Sequence, residues 1–167
     1  MRANNKQDDF DATSVGPESK VPVDIDGKRV TVVVGEINRE EEYNPSHTHY
    51  MRTRDGFMLV YSVSSREQFN EVTECKNKIL TAKDTNEAPI VIVGTHRDHD
   101  KDSCVVTAEE GKVMANKLNC PFFDVNASCF EEVNAAFITL ARMVIRKRNE
   151  KNKTDKKGSK EHDCVLM

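Results

Sequence analysis

The chain has 167 residues, enough for one compact domain with a real core, and its 32 % charged against 37 % hydrophobic content is polar for such a domain. The formal charge of −3 divides into +4 over residues 146–163 and −7 over the rest, which argues against a nucleic-acid-binding body. No apolar run approaches the roughly 18 residues that span a bilayer, no secretory signal opens the chain, and the five cysteines show neither CxxC pairing nor metal-ligand spacing, so the thiols read as reduced and intracellular.

Residues 1–19 are polar and carry no strand pattern. Lys20–Ile25 alternates apolar and polar residues, Asp26-Gly27 supplies a two-residue hairpin turn, and Arg29–Val34 returns. Pro22 confines the first of these strands to a sheet edge. The polar stretch GEINREEEYNPSHTH follows, with Pro45 limiting any helix in it. Phe57–Val63 reads as a strand buried on both faces.

Ser65 with Gln68 can form a capping box for a helix whose inner face holds Phe69, Val72, Ile79 and Leu80. Ile90–Val93 is the next strand, closed by Gly94. Thr107 with Glu110 opens a helix to about Leu118, and Pro121–Val125 is a third strand. Ser128 with Glu131 caps a last helix carrying Phe130, Val133, Phe137, Leu140 and Val144, and past Arg146 the apolar pattern stops, leaving a basic tail.

A hairpin followed by repeated strand–helix units predicts an α/β, doubly wound, mostly parallel sheet with helices on both faces. Ligands in such folds bind at the carboxyl ends of the strands, where Gly94–Asp98 and Asn126–Ser128 both fall. The expected organisation is a polar segment at 1–19, a domain at 20–148 and a basic tail at 149–167. His47, His49, His96 and His99 lie in polar segments without a nearby cysteine and make a poor metal set.

The segments VDIDGKRVTVVV, EEEY and YMRTRDGFMLVYSV, then APIVIVGTHRD, VNAS and the terminal CVLM, agree in order and spacing with the Ras family of small GTPases. The chain resembles that family from roughly residue 10 to its end. The resemblance implies a guanine site at Thr95-His96-Arg97-Asp98, with the Asp98 carboxylate accepting from the base, and at Asn126-Ala127-Ser128, with the Ala127 N–H donating to the base carbonyl. His96 departs from the usual Lys, whose stem lies on the base and whose ammonium reaches the phosphates.

Other departures are larger. No G-x-x-x-x-G-K-[ST] phosphate loop occurs in the sequence. The run VTVVVGE is followed by Glu36, Glu40, Glu41 and Glu42, where phosphates call for positive potential. The family's D-T-A-G-Q becomes Glu36-Ile37-Asn38-Arg39-Glu40, which puts an anion, Glu40, at the position of the water-orienting Gln. Thr13 takes the place of the switch-I threonine, a candidate Mg²⁺ ligand, if one residue is inserted before Lys20; otherwise Ser14 does. Gly16-Pro17-Glu18-Ser19 replaces the acidic switch-I pattern, so effectors are not specified.

These residues imply weak or lost guanine-nucleotide binding, with Mg²⁺ accompanying GTP or GDP where it binds, and impaired hydrolysis. They leave two alternatives open: a GTP-hydrolysing switch whose first strand and phosphate loop lie upstream, and a pseudo-GTPase that binds protein partners without a nucleotide cycle. In the family, a first strand runs between those equivalent to Arg29–Val34 and Phe57–Val63. Without it, these two must pair directly or leave the sheet gapped. The terminal Cys164-Val165-Leu166-Met167 predicts a farnesyl group on Cys164, and with the basic tail an anchor on the cytoplasmic face of the plasma membrane.

Overall fold

A computed structural model of the chain describes residues 19–37, 45–96, 103–154 and 164–166, the side chains of 45, 46, 154 and 164–166 excepted. Strands β1 (Ser19–Ile25) and β2 (Lys28–Val34) form the expected hairpin, with Val23 opposite Val30 and Ile25 opposite Lys28. Its two turn residues, Asp26 (φ 53°) and Gly27 (φ 75°), are both left-handed, the backbone that matches strand twist in a two-residue turn. Pro22 stands on β1, whose single neighbour among the described strands is β2, the edge position to which a residue without an N–H is suited. The turn is tied to the rest of the domain by Arg142, whose Nη2 donates to Asp26 Oδ1 at 2.7 Å.

Strands β3 (Phe57–Ser62), β4 (Ile90–His96) and β5 (Phe122–Asn126) form a parallel sheet in the order β3-β4-β5. Helices α2 (Arg66–Ala82) and α3 (Ala108–Lys117) follow β3 and β4, and α4 (Phe130–Thr154) follows β5. The apolar run of β4 is covered from both sides. Val91 and Val93 face Ala136, Leu140, Ala141 and Val144 of α4, together with Ile25 and Val32 of the hairpin. Ile92 faces the other way, into a cluster with Tyr61, Val72 of α2 and Ala115 of α3. Right-handed crossovers with helices on both faces are the doubly wound arrangement expected of this pattern. The hairpin joins the parallel sheet through the α4 core.

The helix starts are set by local chemistry. Thr107 and Glu110 make a complete capping box: the Thr107 hydroxyl accepts from the Glu110 N–H, and the Glu110 carboxylate accepts from the Thr107 N–H at 2.9 Å. Ser65 accepts from the Gln68 N–H at 3.3 Å, but Gln68 Oε1 reaches past it to the Ser62 N–H at 2.8 Å, binding the helix start to the end of β3. Arg66 crosses to α3, donating to Glu110 Oε1 at 2.7 Å and to the Val105 carbonyl.

The Arg66 guanidinium, then the Thr107 amide and hydroxyl, hold the Glu110 carboxyl down at about 2 against its ordinary 4.5. A depressed carboxylate contributes stability above its unfolded value that is lost as pH falls through the folded one. Urea midpoints measured between pH 6 and pH 2 should therefore drop between about pH 4.5 and 2, and Glu110→Gln should flatten that part of the profile.

Further features depart from the sequence expectation. Strand β3 is not buried on both faces: Phe57 and Tyr61 are buried on one, while Val60 on the other is 55 % exposed. Pro45 opens helix α1 (Pro45–Thr53) rather than limiting it, since the first helical position needs no N–H. The last helix begins after Cys129, not Ser128: the Val133 N–H donates to the Cys129 carbonyl at 3.2 Å, and Phe130 is 37 % exposed rather than in the core. That helix also runs past Arg146 to Thr154, held by the Arg146–Glu150 pair, by Arg148 to Asp55 at 2.8 Å, and by Lys147 to the Glu87 carbonyl. Lastly, of the two alternatives for β2 and β3 the gapped one holds, and the unexpected part is the strand that takes the open edge. The second edge of β2 is taken in parallel by β6 (Cys164–Leu166), giving two three-stranded sheets, β1-β2-β6 and β3-β4-β5.

Candidate functional site at the carboxyl ends of the strands

Register brings the expected site residues side by side. Ser62 lies opposite Thr95, Thr95 opposite Val125, and His96 opposite Asn126, so β3, β4 and β5 end together. The Thr95 carbonyl accepts from the Val63 N–H at 3.1 Å, which extends the ladder one step past β3. The Val63 carbonyl accepts from both Val105 and Val106 N–H at 3.0 Å, and this seats the entry to α3 over the same end of the sheet. Gly94 precedes the site because the Tyr61 ring crosses it: a Cβ there would stand 2.8 Å from Tyr61 Oη. His96 is half-buried, with Nε2 3.7 Å from Asp124 Oδ1 on the neighbouring strand.

The Asn126-Ala127-Ser128 segment is a tight turn rather than an open loop. Asn126 Oδ1 accepts from the Ser128 N–H at 2.9 Å, and the Asn126 carbonyl accepts from the Cys129 N–H at 2.8 Å. The Ala127 N–H donates to the His96 carbonyl at 2.9 Å. The resemblance assigns that donor to a base carbonyl; here it is already engaged, because parallel pairing of His96 with Asn126 carries the ladder one residue further. Glu132 is a contributor that sequence reasoning missed. Its Oε2 accepts from the Asn126 N–H at 2.6 Å, reaching back from the first turn of α4, where the helix dipole favours a carboxylate. The acidic pair Glu131-Glu132 directly after the turn is the sequence signal for it.

The described part of the site is polar. Ser62–Ser64, Thr95–His96 and Asn126–Ser128 offer hydroxyls, an amide and one imidazole, with no ammonium or guanidinium. Arg66 nearby is committed to Glu110. With no ammonium or guanidinium among them, the described strand-end residues by themselves do not fit a Mg²⁺-bound triphosphate. Among them no cluster of three His, Cys, Asp or Glu could hold a metal ion. His47 is buried and His49 exposed on α1, as residues two apart on a helix must be. Thr13, Glu40 and Asp98 lie outside the described residues, as does His99; of Cys164 the backbone position in β6 is described.

The Ras family model matches residues 3–146. A Ras-like protein from Laccaria bicolor is 34 % identical over 159 residues, which cover 95 % of this chain and 75 % of that protein. Members of the family generally pair a guanine nucleotide with Mg²⁺ and work through effector and regulator proteins. With a match over most of the chain, and an α/β domain built on a parallel sheet, the chain belongs to the Ras family of small GTPases.

Proposed function

We propose that this chain is a membrane-anchored signalling protein of the small-GTPase type, with the base side of its nucleotide site partly kept and GTP hydrolysis impaired. The observation that carries the reading is the meeting of His96 with Asn126-Ala127 at adjacent strand ends, in a chain with Glu40 at the position of the family's water-orienting Gln. Glu40 adds an anion where a polyanion would lie. In single-turnover assays with Mg²⁺ and purified protein, phosphate release should not exceed that of a Glu40→Ala control. Release clearly above that control would sink the impaired-hydrolysis reading.

A second reading, a protein-binding module without a nucleotide cycle, is favoured by one observation: the Ala127 N–H is spent on the His96 carbonyl. A ligand that binds the folded state raises Tm by mass action. Under the module reading, millimolar GDP with Mg²⁺ leaves Tm unchanged; under the first, it raises Tm by a few degrees.

The anchor rests on Cys164-Val165-Leu166-Met167 and the basic residues before it. The Cys164 sulfur attacks C1 of an allylic prenyl diphosphate. The C–S bond forms as the C–O bond breaks, diphosphate leaves, and the thiol proton passes to solvent. One lipid chain binds a bilayer only reversibly, so the second signal is the basic stretch before it, drawn to an anionic cytoplasmic leaflet. Residues 146–163 carry a net +4, with Arg146, Lys147, Arg148, Lys151 and Lys153 on the end of α4 and Lys156, Lys157 and Lys160 beyond it. Among the described residues no helix is long and apolar enough to cross a membrane.

A further inference from the structure

The three residues that form β6 are the residues the lipid reading needs to be free. Cys164 pairs with Val32, Val165 with Val33, and Leu166 with Val34, all in parallel. β1 covers the other edge of β2, and β3 is bonded to β4 and not to β2. The edge of β2 is thus a row of backbone donors and acceptors that a strand must cover, and here the chain's own terminus covers it. A segment hydrogen-bonded into a sheet cannot at the same time lie extended in a modifying enzyme with its thiol at a prenyl diphosphate. Nor can it stay paired while a lipid on its first residue is sunk in a bilayer.

We propose that β6 is a latch: sheet pairing of Cys164–Leu166 with β2 and lipid-anchored membrane binding of the same residues exclude one another. The proposal rests on the reading of Cys164 as the lipidation site. Three observations make the latch workable. The pairing is short, three residues, so it can open without unfolding the domain. It is intramolecular: residues 155–163 join it to α4, which keeps the strand at high effective concentration beside its edge. The end of α4 is itself pinned, through Arg148 to Asp55 and Lys147 to the Glu87 carbonyl, so the connection starts from a fixed point. Opening the latch bares Val32–Val34, and the exposed strand edge then exists only on the anchored form.

Two measurements test this. Amide exchange read by mass spectrometry compares the unmodified full chain with the farnesylated full chain on phosphatidylserine–phosphatidylcholine vesicles. The β2 amides that pair with β6 should exchange at least about tenfold faster in the second, a factor equivalent to ~1.4 kcal/mol, while β4 stays unchanged. Equal protection of β2 in both overturns the latch.

The second measurement is the farnesylation rate with purified farnesyltransferase and farnesyl diphosphate. It compares the full chain, the free peptide 155–167, and a full chain with twenty Gly/Ser residues inserted between 157 and 158. The peptide should react fastest. The lengthened chain should outpace the native one by up to about fivefold, since effective concentration falls roughly as the −3/2 power of linker length. Equal rates for all three overturn the latch and leave the lipid reading standing. An unmodified peptide overturns the lipid reading and the latch with it.

Discussion

Gly111→Ala should destabilise the protein by about 3 kcal/mol, at the upper end of what overpacking a core ordinarily costs. Gly111 lies inside α3, where alanine is intrinsically better than glycine by ~1 kcal/mol, so the expected sign runs against helix propensity. The reason is overhead. A Cβ at this position would stand 2.5 Å from Phe122 Cζ and closer still to Tyr61 Oη, a ring carbon and a hydroxyl fixed to a ring, neither at the end of a flexible chain that could yield. Tyr61 cannot retreat, because it is 1 % exposed, crosses Gly94 on the other side and stacks edge-on against Phe69 at 5.2 Å.

Its hydroxyl is buried with no hydrogen-bond partner among the described residues, and burial, aided by Asp124, pushes its pKa up to about 12. Removing that oxygen in Tyr61→Phe should stabilise the protein by ~1 kcal/mol and recover part of the Gly111→Ala loss, leaving the Phe122 clash. Urea denaturation of the two single variants and the double variant reads all three values. A neutral Gly111→Ala would mean that α3 slides off the sheet at little cost.

Cys164→Ser should abolish membrane association outright, since thioether formation requires the thiol. Replacing Lys156, Lys157 and Lys160 with Gln should leave lipidation intact and move protein to internal membranes and cytosol, removing ~3 kcal/mol of leaflet attraction at most. N-terminal fluorescent fusions report both while leaving the C-terminus open to processing. If the Cys164→Ser protein stays on membranes, a protein partner holds it there and the anchor reading fails.

Where local chemistry decides structure, the sequence was legible. Asp26-Gly27 forced a left-handed turn, Thr107 and Glu110 closed their box, and the apolar run of β4 became a doubly covered strand, whereas that of β3 is buried on one face and leaves Val60 exposed on the other. The misreadings fall where long-range pairing decides. The extension of α4 past Arg146 has no apolar period to announce it; it depends on Asp55 and Glu87, distant in the chain. β6 carries no strand signal of its own and is a strand through the edge of β2. At the site, spacing put Asn126-Ala127-Ser128 beside Thr95-His96 correctly, yet which N–H remained available followed from the β4–β5 register, which no motif encodes.

The long last helix also gives the molecule a direction. It starts where β5 ends, beside Asn126, and runs back to Asp55 and Glu87, the residues that lead into β3 and β4. Its 25 residues make a rod of about 37 Å, so the strand ends that carry Thr95, His96 and Asn126 lie at the pole opposite the helix's exit. A domain tethered through that exit hangs from the bilayer with its polar loop face turned towards the cytosol. An encounter with a soluble protein there would need no reorientation against the lipid surface.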